Sequence, residues 1–366
     1  MTKLAPSLRV ELSQSSSRLS PETRNELVGR LFEMTENSFP AGFNLSIVEK
    51  TGPVFRAWGG FSNLVDPIIE TSSNTIYDLA SLTKVVSTTT LALWLEQQNR
   101  WRFDDHVAKW LPGFPREDLT LVQLLTHTSG LIPHRPFFHL GQRPAEVRRA
   151  VYEEATHGTA PGQVVYSDLN FMLLGWAIAN CSKRPLDQLF REVVAEPLGM
   201  RDTRYRPNRR DLTRIAATER NGDQRLQKGL VWGEVHDGNA WSLRGVAGHA
   251  GLFGSSDDLG RFVQALLNPR RHPVLTPSSI AQMTRVQAGS LPDVRGLGWR
   301  LQPVTWGDWP VGTFWHTGFT GTSLLISPSA NLGVVLMMNA VHPTRQLERQ
   351  EAVRVSLHRT LAEAVA

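Results

Sequence analysis

Ser81-Leu82-Thr83-Lys84 sets a serine and a lysine one helical turn apart at the head of an apolar segment. Val85-Val86 follows the lysine directly, and Leu91-Ala92-Leu93-Trp94-Leu95 continues the run. A helix of that composition is buried on most sides, so a fold for this chain must find a task or a partner for the lysine. Tyr77-Asp78-Leu79-Ala80 reads as the turn entering the helix, with Asp78 as its N-cap. Ser81 then stands in the first turn, where its own N–H lacks an intrahelical partner and points outward. Residues three apart share a helix face, so the Lys84 amine reaches the Ser81 hydroxyl. A hydroxyl is a poor nucleophile until a neighbouring base takes its proton, and a desolvated lysine can do that.

Two later segments extend the pattern. Tyr166-Ser167-Asp168 follows the turn Thr159-Ala160-Pro161-Gly162 and leads into Phe171-Met172-Leu173-Leu174-Gly175-Trp176. His316-Thr317-Gly318 ends the aromatic strand Thr313-Phe314-Trp315 and precedes Phe319-Thr320-Gly321-Thr322-Ser323. With these motifs in this order the chain resembles the serine β-lactamase-like hydrolases, a family of class C β-lactamases, penicillin-binding DD-peptidases and related (family VIII-type) esterases. That family carries Ser-x-x-Lys, Tyr-x-Asn and Lys-Thr-Gly or His-Thr-Gly. Leu124-Leu125-Thr126-His127-Thr128-Ser129-Gly130-Leu131 and Val246-Ala247-Gly248-His249-Ala250-Gly251-Leu252 also look typical of it, and the resemblance spans roughly residues 40 to 345.

Composition agrees with an enzyme of moderate charge. A length of 366 residues allows one large or two medium domains, and a formal charge of +5 is mild for that length. Arginines gather between Arg201 and Arg225 and at Arg270-Arg271, but acidic residues are interspersed, so these read as solvated loops rather than a nucleic-acid surface. Cys181 is the only cysteine, which excludes an intrachain disulfide. Met1 to Ser7 lacks the apolar core of a signal peptide, and no apolar run approaches the ~18 residues that span a bilayer. The expected location is therefore cytoplasmic, or extracytoplasmic if the start has been trimmed.

The organisation is split. Phe43 to Glu49, Thr51-Gly52-Pro53 and Val54 to Trp58 read as a β-hairpin. Thr313 to His316, Thr322 to Ser327 and Leu332 to Met338 supply three more strands near the other end. The spacing of Leu347, Val353, Leu357, Leu361 and Val365 predicts a C-terminal helix over 345–366 that packs on the sheet, and Pro21 to Ser38 reads as another helix. Ser13 to Ser17 reads as irregular. The expected fold class is α+β: an antiparallel sheet of about five strands flanked by terminal helices, built from residues 1–78 and 246–366, with an inserted mainly helical domain over 79–245. The active site would lie between the two. The resemblance implies the same β-lactamase/transpeptidase-like layout.

Rival chemistries find less support. The chain has no Gly-x-Ser-x-Gly elbow, no Gly-x-x-x-x-Gly-Lys and no Gly-x-Gly-x-x-Gly. His127, His134 and His139 cluster without a standard zinc spacing, and no metal or cofactor is expected. His249, between Gly248 and Gly251, is read as structural, with a loop lining the pocket as the alternative. Trp232, Trp241, Trp306, Trp309 and Trp315 fall in segments expected to border the cleft, where core packing competes with an apolar acyl pocket.

The resemblance implies roles. Ser81 is the nucleophile, Lys84 takes or relays its proton, and Tyr166 protonates the leaving group and later activates water. The oxyanion hole is the N–H of Ser81 with that of Phe319, and Thr317 and Gly318 form the strand edge along which substrate lies. Asp168 stands where the family more often has asparagine; near Lys84 it would favour the ammonium and shift the base role to Tyr166. His316 stands where many β-lactamases have lysine and is expected to be a mostly neutral donor unless a neighbour such as Asp168 raises its pKa. These features favour a serine hydrolase of carboxylic esters or small amides. The alternative is a DD-carboxypeptidase or weak β-lactamase, and a non-catalytic penicillin-fold binding module is the reading from another class. The expected partner is a small ester, amide or peptide substrate, with no nucleic acid and no membrane span.

Overall fold

The computed structural model describes residues 7–12, 19–220 and 229–365; the Ser13–Ser17 stretch lies outside them. Strand β1 is Leu8–Leu12, β2 Gly42–Glu49, β3 Gly52–Asn63, β4 Ile69–Glu70, β5 Ile76–Asp78 and β6 Arg204–Tyr205. Then come β7 Leu252–Ser255, β8 Val294–Arg295, β9 Arg300–Leu301, β10 Phe314–Thr317, β11 Ser323–Ser327 and β12 Leu332–Met338. Among the described residues these form an antiparallel nine-stranded sheet in the order β1-β3-β2-β12-β11-β10-β9-β8, with β4 on β3, and a three-stranded sheet β5-β7-β6. The expectation of about five strands is corrected upward. The five central strands β2, β3, β10, β11 and β12 are the expected ones; the edge strand β1 was not foreseen, and β4, β8 and β9 have two residues each and are too short to leave an alternating signal.

Alternation along the strands separates two cores. Phe43, Leu45, Ile47, Trp315, Leu325, Val334 and Leu336 face helices α1 (Pro21–Glu36) and α5 (Leu347–Glu363). Val48, Phe314, Leu324, Ile326, Val335 and Met337 face the other way, toward α4 (Ser256–Leu267) and the helical part of the chain. Each fully buried aliphatic or aromatic side chain contributes about 1.5–3 kcal/mol, so both faces are firmly covered. β12 and α4 come close together at Gly333, where a Cβ would lie 2.1 Å from Val263.

The helical part centres on a π-helical run, Lys84–Thr89, that continues as α2 (Thr90–Gln97), and on α3 (Asp168–Ser182) beside it. Such wide turns recur at functional sites because they displace a side chain from the regular helical register. The 246–251 loop sits on both. A Cβ at Gly248 would lie 2.0 Å from the Phe171 carbonyl oxygen, and Thr88 donates to the Gly248 carbonyl at 2.6 Å. This seating delivers His249 to the head of the helix. Gly248→Ala should therefore destabilise the protein by about 1–3 kcal/mol through overpacking. Denaturant unfolding checks this, and a change below about 0.5 kcal/mol would count against the contact.

Candidate active site

The turn before Ser81 is clamped from several sides. β5 pairs with β7, and the Leu79 N–H donates to the Leu252 carbonyl at 2.9 Å. Asp78 takes the Ala80 N–H at 2.8 Å and the His236 N–H at 2.6 Å. The carboxylate thus caps a tight turn two residues on, and the expected N-cap of the helix is corrected accordingly. Ala80 adopts φ +46°, a left-handed conformation that costs an L-residue about 1 kcal/mol, and directs the chain abruptly into Ser81. Thr320 donates to the Asp78 carbonyl at 2.7 Å and Thr322 to the Leu79 carbonyl at 3.1 Å, which ties the loop after β10 to the same turn. A Cβ at Gly318 would lie 2.5 Å from the Leu79 carbonyl oxygen, so only glycine permits that approach. Among the described residues neither the Ser81 N–H nor the Phe319 N–H has an acceptor.

Lys84 is wholly buried. Its ammonium donates to Ser81 Oγ at 2.8 Å, to Asp168 Oδ1 at 2.8 Å and to the His249 carbonyl at 3.4 Å. It also lies 4.8 Å from the centre of the Tyr166 ring. Burial opposes its charge, but the Asp168 carboxylate and the Tyr166 hydroxyl together outweigh burial and raise its pKa. Burial pushes Asp168 up, yet Lys84, His134 and His249 hold its carboxyl far below the usual range. The neighbouring carboxylate thus favours the ammonium form of Lys84, which faces three oxygens, those of Ser81, Asp168 and the His249 carbonyl.

Tyr166 rests on His127, with ring centres 4.6 Å apart. His127 takes φ +59°, and its Nδ1 accepts the Ser167 N–H at 3.1 Å, which leaves the ring proton on Nε2. His316 is 2% exposed, and its Nδ1 donates to the Thr317 carbonyl at 2.9 Å. Burial, Lys84 and Arg295 drive its pKa well below the ordinary value, so it is neutral. The Nδ1 proton is spent on Thr317, and Nε2 carries a lone pair.

A model of the family described as Beta-lactamase matches residues 34–358. The chain belongs to that family. It is 31% identical over 359 residues to proteins named putative D-alanyl-D-alanine carboxypeptidase from Salmonella paratyphi B and Salmonella typhi, covering 86% of this chain and 82% of theirs. The octameric penicillin-binding protein homologue from Pyrococcus abyssi has a similar fold, with a TM-score of 0.73 at 20% identity over 93% of this chain and 79% of that one. So does EstCE1, described as a hydrolase with promiscuous acyltransferase activity, with a TM-score of 0.72 at 20% identity over 93% of this chain and 100% of that one.

The structure brings Ser81, Lys84, Tyr166 and Asp168 together and sets the His316-Thr317-Gly318-Phe319 segment beside them, with the Tyr166 and His316 ring centres 6.1 Å apart. It adds residues that sequence reasoning missed or left open. His134 Nδ1 lies 3.5 Å from Asp168 Oδ2, and His249 Nε2 lies 2.8 Å from Asp237 Oδ1. Arg295, 2% exposed, sets its guanidinium carbon 5.5 Å from the Tyr166 ring centre. His134 belongs to the histidine cluster that the sequence displays; for Arg295, in a two-residue strand, no motif marks the position. Of the five tryptophans, Trp306 and Trp315 pack together under the sheet with ring centres 4.2 Å apart, away from the cleft.

Asp168→Asn removes the carboxylate that keeps Lys84 charged. Desolvation then dominates, and the Lys84 pKa should fall below its ordinary ~10.4, read by NMR titration of its side-chain carbons. Because the native Asp168 pKa is depressed, its stabilisation is present above the unfolded value of ~3.9 and is lost as pH falls through the native value. The wild type should lose stability below about pH 4 more steeply than Asp168→Asn. A Lys84 titration unchanged by the substitution would place the carboxylate outside the relay.

Proposed function

We propose that the protein is a serine hydrolase that forms an acyl-enzyme on Ser81, with carboxylic esters or small amides as substrates. The observation that carries this reading is the wholly buried Lys84 ammonium, 2.8 Å from both Ser81 Oγ and Asp168. As Lys84 donates to Oγ, the hydroxyl proton must leave toward another group, and Tyr166 stands beside the lysine for that purpose. Oγ attacks the carbonyl carbon, its proton passes to Tyr166 acting as the phenolate beside the Lys84 ammonium, and the carbonyl oxygen becomes an oxyanion facing the N–H groups of Ser81 and Phe319. Collapse breaks the bond to the leaving group, which takes the proton from Tyr166. Water then adds to the acyl carbon, gives its proton to Tyr166, and the acid departs as Oγ is reprotonated. The cleft lies between the sheet portion, 1–78 and 246–366, and the helical portion, 79–245. Among the described residues no helix is long and apolar enough to cross a membrane.

A second reading, a carboxypeptidase of D-alanyl-D-alanine ends, is favoured by the name of the Salmonella relatives. The two readings differ in the group attached beyond the reacting carbonyl, which carries a free carboxylate only in the peptide. Neutral, buried His316 offers no permanent cation to a substrate carboxylate, which favours uncharged esters. Ser81→Ala should abolish hydrolysis of a p-nitrophenyl ester and labelling by a fluorophosphonate, located by mass spectrometry. Label on Ser129 or Ser323 instead would refute the assignment. In the unmodified protein kcat/KM for a short-chain ester should exceed that for nitrocefin by orders of magnitude, and efficient nitrocefin turnover would reverse the preference. Release of D-alanine from a D-alanyl-D-alanine peptide faster than ester cleavage would establish the second reading.

A further inference from the structure

We propose that Arg354 is a positioning residue for the oxyanion hole, gripping and polarising the peptide between Gly318 and Phe319 from the side opposite the cleft. The inference rests on the acyl-enzyme reading and names a residue that none of the motifs contains. Arg354 lies on α5, on the far face of the sheet from the nucleophile. Its Nη2 donates to the Gly318 carbonyl at 2.7 Å and to the Thr322 carbonyl at 3.1 Å. The Gly318 carbonyl and the Phe319 N–H belong to one planar peptide, and in a trans peptide they point in opposite directions. A guanidinium that fixes the carbonyl on the helix side therefore fixes the N–H on the cleft side. That N–H has no acceptor among the described residues.

The environment argues for more than a turn held in place. The loop is already closed without Arg354, because the Gly318 N–H donates to Thr322 O at 2.7 Å and the Gly321 N–H to Gly318 O at 3.1 Å. The Arg354 side chain is 7% exposed, and its acidic neighbour Glu351 is half exposed at 3.4 Å. A guanidinium buried with so little countercharge is costly, whereas a neutral side chain could cap the same carbonyls. A charge does what a neutral cap cannot. It draws electron density toward the carbonyl oxygen and makes the N–H at the other end of the peptide a stronger donor. From the preceding turn of α5, Gln350 donates to the Phe319 carbonyl at 3.3 Å, so one helix holds both flanks of Phe319. Negative charge appears opposite this N–H only during reaction, so the benefit falls on the transition state.

The test uses the full chain with Arg354→Gln, which keeps a neutral donor, Arg354→Lys, which keeps a charge, and Arg354→Met, which keeps neither. Four quantities are read: kcat and KM for p-nitrophenyl butyrate, Ki for phenylboronic acid, and the Phe319 amide proton shift. Deleting a direct oxyanion-hole donor costs about 10²–10³ in kcat, so an indirect contribution of about tenfold is expected in Arg354→Met. KM should stay within about twofold, Ki should rise in step with the fall in kcat, and the Phe319 amide proton should move upfield. Arg354→Gln should fall between, and Arg354→Lys should retain most of the rate. If Arg354→Met does not fold, Arg354→Gln decides. Unaltered kcat, Ki and amide shift in Arg354→Gln, whatever its melting temperature, would reduce Arg354 to a structural cap and overturn the proposal. Failure of a fluorophosphonate to label Ser81 in the wild type would instead defeat the acyl-enzyme reading, while the amide shift still reports whether Arg354 polarises the peptide.

Discussion

The site depends on one buried ion pair. Lys84 is wholly enclosed, and the Asp168 carboxylate 2.8 Å away is what allows it to keep its charge there. Deleting one partner of such a pair costs about 3–5 kcal/mol, since the other is left charged in a poor dielectric. The pair also joins separate elements, because Lys84 opens the π-helical run while Asp168 opens the neighbouring helix. The 246–251 loop closes the third side by offering the His249 carbonyl to the same ammonium. Ser81, with its Oγ on that ammonium, is held relative to the three of them.

The rest of the site is organised by short approaches that only small residues permit. Gly248 lies against α3, and Gly318 lies against the Leu79 carbonyl. Both positions carry a chemically important atom one residue away: the His249 carbonyl in one case, the Phe319 N–H in the other. The left-handed backbone at Ala80 and His127 does the corresponding work beside Ser81 and beneath Tyr166. Strain at these two points is offset by the clamps around them, for Asp78 is held by two N–H groups and His127 by Ser167 and Asn170.

Much of this was legible in the chain. Ser81 and Lys84 announced themselves because helical spacing puts them on one face, and the five central strands because apolar runs of four or more residues bounded by turns are a strong signal. The N-cap was misjudged because Asp78 serves equally well two residues before a tight turn, and local sequence does not separate the two. Where His316 spends its proton was not legible, because the Thr317 carbonyl takes it, a contact set by β10 geometry rather than by residue type. Arg295 and Arg354 were invisible for a related reason. Arginines normally read as surface residues, and only the tertiary fold shows these two under 10% exposed beside Tyr166 and Gly318.

The two departures from the common family pattern also balance each other. Tyr166 has two permanent cations beside it, Lys84 and Arg295, the second partly answered by Asp293 at 2.7 Å. A lysine at 316 would add a third cation at a 2% exposed position, with repulsion that burial would strengthen. An asparagine at 168 would at the same time withdraw the carboxylate bonded to Lys84. Neutral histidine at 316 and ionised aspartate at 168 together keep the buried charge near balance, with Arg295 on β8, two strands away from β10, as the second cation beside Tyr166. Exchanging either residue alone for its commoner counterpart upsets that balance in the same direction, toward excess positive charge. The pair is therefore better understood as one electrostatic arrangement than as two independent substitutions.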